Sequence, residues 1–241
     1  MKTPRSLPET DLARVALLPD DQKRIVLRGV RSFVPPHSLS PLRKVAAAAY
    51  AARPSLLELP RCTFAEIEAA ILRLCGTNSH WVEPNLSLAK LLFDYNEQRD
   101  IKAVEWEFPV IPVGYGAKIK FWHDFYSIQD DVPVLSFIDP RLTDGLGIFG
   151  RTFVFSAMHH NVAIGDFAGA RLEIVRFPFN KYTGKREVEI FTFDDRDVVE
   201  EAVLNAAIDR TYRIWHEILI ERTAEARRKP PTGTDDSGFG F

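Results

Sequence analysis

The sequence predicts an α/β (or α+β) domain, a central mixed β-sheet flanked by helices with a helical annex at its N-terminus. Three observations carry that prediction. Residues Lys118 to Ile128, Arg171 to Phe177 and Arg186 to Phe193 alternate apolar and polar side chains, the period of a half-buried strand. Val132 to Ile138 is a nearly continuous apolar run, as expected of a strand buried on both faces. Around these strands lie stretches of helical period, one opened by a capping box and one running for most of the C-terminal region.

Bulk properties narrow the class. A chain of 241 residues with 46% hydrophobic and 27% charged side chains suits one sizeable globular core. A net charge of −2 lends no support to nucleic-acid binding, although it leaves room for a local basic face. Cys62 and Cys75 lack any disulfide or zinc spacing and read as reduced thiols. No apolar run is long enough to span a membrane, so the expected location is cytoplasmic.

In chain order, residues 1–60 read as a helical arm, with helices over Asp11–Leu18, Asp20–Val30 and Ser40–Arg53 and a break at Pro35-Pro36. Residues 61–228 read as the α/β core. Thr63 and Glu66 form a capping box, and Gly76 stops the helix they open. Pro84 to Arg99 is a second helix; the two make a helical hairpin more readily than a DNA-binding helix-turn-helix. Val104 to Val110 is a short strand leading through a Pro/Gly connection into the strand at Lys118. Gln129 to Asp131 turn the chain into the apolar strand, which ends on Asp139-Pro140-Arg141. A loop to Gly150 precedes Arg151–His160, taken as a helix because a crossover must precede the next buried strand. Thr183-Gly184 marks a hairpin turn, Asp197 caps the last helix to about Arg228, and the Pro/Gly/Thr-rich residues 229–241 read as a disordered tail.

Charges at the end of a buried strand suggest a site. The order helix, three strands, helix, strand, together with Asp124 on the second strand and Asp139-Pro140-Arg141 on the third, resembles the PD-(D/E)xK (restriction-endonuclease-like) nuclease superfamily over residues 64–178. That resemblance implies a metal-dependent nuclease. Asp124 and Asp139 would hold Mg²⁺ or Mn²⁺, and Arg141 would replace the motif lysine, with Lys120 supplying an amine from the neighbouring strand. Glu83 or Glu97 would add a further ligand. Divalent cations of this kind prefer oxygen ligands and retain water that becomes the nucleophile. Arginine in the lysine position weakens the reading, because it clamps phosphate but does not titrate.

Hairpin register decides the matter on the sequence side. A two- or four-residue loop sets Asp124 opposite Phe137 and puts both acids on one face; a three-residue loop separates them. His123 with His159 or His160 is a weaker candidate for a transition-metal site. Trp106, Trp122, Tyr126 and Phe153 would serve either as base-stacking platforms or as core. The function expected from the resemblance is cleavage or processing of nucleic acid. The alternative is a non-catalytic subunit that binds nucleic acid or protein within a multiprotein assembly, in an oligomeric state the sequence does not define.

Overall fold

A computed structural model describes residues 7–30, 39–53, 62–142, 145–194 and 198–228. The elements run α1 (Glu9–Val15), α2 (Asp20–Gly29), α3 (Ser40–Ala49), β1 (Ala52–Arg53), α4 (Phe64–Cys75), α5 (Ser79–Gln98), β2 (Lys102–Glu105), β3 (Ile111–Pro112) and β4 (Lys118–Ile119). They continue with β5 (Phe125–Gln129), β6 (Val132–Asp139), α6 (Ile148–Asn161), β7 (Arg171–Arg176), β8 (Phe179–Asn180), β9 (Lys185–Arg186), β10 (Glu189–Thr192) and α7 (Glu201–Arg228). The main sheet has six strands in the order β1-β2-β5-β6-β7-β10. β6 and β7 are parallel, as are β1 and β2, and the other neighbours are antiparallel. The α/β class with a mixed sheet between helices is therefore the observed architecture.

Two layers of helices cover the sheet. On one face α1, α2, α6 and α7 pack around Leu135, Phe137, Leu172 and Ile174. On the other α3, α4 and α5 pack around Phe125, Ile138, Val175 and Phe177. Successive residues of β6 serve opposite cores, which is why that strand lacks the alternation of its neighbours. The helix α6 carries the chain between the parallel strands β6 and β7, as the crossover argument requires. At α4 the capping box is present in full: Thr63 N–H donates to Glu66 Oε2 at 2.7 Å and Glu66 N–H to Thr63 Oγ1 at 3.4 Å. Gly76 leaves the helix with φ of 55°, a conformation that suits glycine.

Several expected boundaries shift. The strand expected over Lys118 to Ile128 is interrupted: the chain leaves β4 at Ile119 and rejoins the main sheet only at Phe125. Phe121 and Trp122 are adjacent yet both belong to the same core, whereas a strand would send them to opposite faces, so the alternation around them imitates a strand without being one. The strand expected to reach Val110 ends at Glu105, and the helix expected from Arg151 begins at Ile148. The N-terminal helices supply Leu7, Leu12, Ala13, Val15 and Leu27 to the same core as the sheet. α2 runs alongside α7 in the same direction, joined by ion pairs from Asp20 to Arg210, Arg24 to Glu217 and Arg28 to Glu221. Arg222 also donates to the Arg28 carbonyl at 2.8 Å. The Pro35-Pro36 break, the Asp197 cap and the tail 229–241 lie outside the described residues. Among the described residues, no helix is long and apolar enough to cross a membrane.

Candidate functional site

The hairpin between β5 and β6 turns on two residues, Asp130 and Asp131, with φ of 53° and 60°. This is the left-handed pair that a tight turn needs and that aspartate tolerates. Ser127 pairs with Val134 and Gln129 with Val132, the register that would bring Asp124 opposite Phe137 if the pairing continued. It does not continue. Beyond Val134 the residues of β6 pair with β7 alone, while the Asp124 backbone turns to the other neighbour, where its carbonyl accepts from Trp106 N–H at 3.1 Å.

The two acids accordingly engage separate partners. Asp124 Oδ1 accepts from Phe108 N–H at 3.1 Å and from the Lys120 ammonium, and its side chain is largely exposed. Asp139 is fully buried at the C-terminal end of β6. Its carboxylate accepts Leu146 N–H at 2.9 Å and Arg141 N–H at 3.3 Å, and Arg176 Nε stands 3.7 Å away. Asp139 and Arg176 are register partners on adjacent parallel strands, so their side chains emerge on the same face. Arg141 turns its guanidinium to Asp11 of α1 at 2.8 Å, and Arg186 reaches the Pro140 carbonyl at 2.8 Å. Glu83 and Glu97 lie exposed on α5.

These residues do not fit a shared Mg²⁺ or Mn²⁺ site. Asp139 accepts from two backbone donors and faces the Arg176 guanidinium, and Asp124 is joined to a different network. Among the described residues, no group of three His, Cys, Asp or Glu side chains is placed to hold a metal. His160 bonds the Val199 carbonyl at 2.8 Å, and His159 stacks on Phe193 at 5.5 Å, both away from His123. Cys62 and Cys75 are free thiols.

Two surface features went unseen in the sequence. One is a hollow of about 220 Å³ lined by Trp106, Phe108, Val162, Ile164 and Phe167. Phe167 sits edge-on to Trp106, Phe108 and Tyr126 at 5.1–5.5 Å, while Trp106 and Ile164 remain about half exposed. The second is a cleft of about 330 Å³ between α3 and the segment joining β4 to β5, lined by Arg43, Lys44, Lys120, His123, Asp124 and Phe125. Neither has a linear motif, because each joins segments at least forty residues apart.

His123 in that cleft stacks on Phe125 at 5.5 Å. Burial pushes its pKa down to about 4; the charges of Arg43 and Lys120 act in the same direction, against the pull of Asp124. The imidazole is thus neutral in the native state and ordinary in the unfolded one, with a pKa near 6.5. As pH falls from about 6.5 towards 4, the unfolded chain takes a proton that the native chain refuses, so stability falls across that window. Urea midpoints at pH 7 and pH 5 test this. The wild type is expected to lose on the order of 1–2 kcal/mol more than His123→Gln, and equal losses would refute the assignment.

A family model described as the sliding clamp-binding bacterial toxin SocB matches residues 10–225 of the chain. The DNA replication inhibitor toxin SocB of Caulobacter vibrioides (strain NA1000 / CB15N) is 32% identical over 233 residues, covering 96% of this chain and 96% of the relative. No solved structure matches the chain. These matches overturn the resemblance to the PD-(D/E)xK superfamily and, with it, the nuclease and hydrolase reading. The motif behind that resemblance was Asp124 and one short triplet, and the Asp139 carboxylate of that triplet is engaged by the Leu146 and Arg141 N–H groups. A protein-binding role, the alternative reading, is the one that stands.

Proposed function

The chain belongs to the SocB family of sliding clamp-binding bacterial toxins, and on that footing we propose that it binds a bacterial sliding clamp and thereby inhibits DNA replication. The observation that carries this reading is the extent of the match. Residues 10–225 span both helical layers and the whole sheet, so the similarity concerns the complete described body and not a module within it. The partner is a protein, and the site of action is the cytoplasm, where replication proceeds. A net charge of −2 and the dispersed acids agree with a protein that acts by occupancy. Inhibition of this kind follows mass action: the blocked fraction of clamp depends on free toxin relative to Kd, with no bond made or broken.

The full chain titrated against purified clamp is expected to bind with a Kd of about 1 μM or tighter, as a specific interface of ordinary size would. Primer extension by a clamp-dependent polymerase should fall in step with occupancy, and excess clamp should restore it. Inhibition that persists when the clamp is omitted, or that excess clamp leaves untouched, would reject the proposal.

A further inference from the structure

We propose that the cleft between α3 and the β4–β5 connection is a binding site for a small phosphate monoester, a role separate from clamp binding. Its volume of about 330 Å³ falls at the lower end of small-ligand sites, enough for a phosphate with a compact organic group. Cations approach it from two walls. Arg43 and Lys44 are consecutive on α3, and Lys120 lies on the opposite segment. Two of them are held in position by carboxylates: Arg43 Nη1 by Glu9 at 2.9 Å, Lys120 by Asp124. Lys44 is exposed and has no acidic partner among the described residues. Three cations against two carboxylates leave the cleft positive on a chain whose overall charge is negative.

His123 adds a further observation. Its ring lies against Phe125, and neither ring nitrogen has a hydrogen-bond partner among the described residues. An imidazole held flat at the wall of a cationic cleft offers an N–H to an anion and gains from the negative charge delivered there. The charged groups that bear on it are Arg43 and Lys44 from α3, Lys120 and Asp124 from its own segment, and Glu9 of α1 behind Arg43. Phosphate suits this set better than carboxylate. Its three terminal oxygens match a guanidinium, an ammonium and an imidazole donor at once, and its charge near pH 7 approaches two.

The test follows the His123 imidazole resonances of the full chain during titration with inorganic phosphate and with phenyl phosphate, at constant ionic strength held by chloride. Saturable shifts are expected with both probes. Lys44→Gln should weaken binding about tenfold, the loss of one charge-assisted hydrogen bond. Lys118→Gln, an exposed lysine outside the cleft, should leave binding unchanged. Three results would each overturn the proposal: no saturation with either probe, equal effects of the two lysine variants, or a response to a short single-stranded oligonucleotide without one to phosphate monoesters. Unchanged melting of Lys44→Gln checks that the variant remains folded.

Discussion

Asp139→Ala is expected to destabilise the folded chain by about 3–5 kcal/mol, because it removes the buried carboxylate facing Arg176 and leaves that guanidinium only the part-exposed Glu189, 3.8 Å from its Nη1. The carboxylate is fully buried, and Arg176 Nε, 3.7 Å from it, has no hydrogen bond of its own. The variant also removes the acceptor for Leu146 N–H and Arg141 N–H, two donors that tie the β6–α6 connection to the strand end. Each buried donor left unpaired costs roughly 1–3 kcal/mol, so the effects reinforce one another. Asp139→Asn keeps the shape and an acceptor and should lose less. The diagnostic result is the double variant Asp139→Ala, Arg176→Met. Replacing both members of a buried pair by apolar groups is often neutral or stabilising, so urea unfolding of the double variant should recover much of the single variant's loss. A double variant as unstable as Asp139→Ala would show that the charge pair is not what Asp139 maintains.

Deletion of residues 1–30 is expected to abolish cooperative folding. The described part of that segment places Leu7, Leu12 and Leu27 in the core at 0–2% exposure. At about 2–3 kcal/mol for each fully buried leucine, the loss approaches the whole stability of an ordinary domain, about 5–15 kcal/mol. The deletion also uncovers apolar faces of α6 and α7 that α1 and α2 otherwise shield. Circular dichroism on heating and binding of a hydrophobic dye would report the outcome. A truncated chain that melts sharply near the wild-type temperature would mean that the N-terminal helices are, after all, a dispensable annex.

What could be read in advance depended on how local the cause was. The capping box of Thr63 and Glu66 is a four-residue device, and it is present as expected. The apolar run of β6 announced a strand buried on both faces, and the need for a crossover correctly made a helix of Arg151–His160 despite its alternating phenylalanines. The relation between Asp124 and Asp139 was not local. Loop length decided whether the acids could share a face, and the turn is the two-residue one that would have allowed it. But β5 and β6 part after Ser127–Val134, and no rule of alternation records where two strands separate. The attachment of the N-terminal helices is equally non-local, since Asp20, Arg24 and Arg28 find their partners some 190 residues away on α7. Family membership, finally, rests on a match over residues 10–225, far longer than the stretches from which motifs are read.

The union of α2 with α7 sets how late in synthesis the N-terminal helices can dock. Arg24 and Glu217 are separated by 193 positions, and α7 is the last helix among the described residues. At about 5–20 residues per second of synthesis, the first helices wait roughly 10–40 s at the ribosome before their docking surface exists. Throughout that interval Leu27 of α2 lacks the native cover that α7 supplies. A chain that stops short of α7 leaves the apolar face of α2 without its partner helix and is expected to be protease-sensitive.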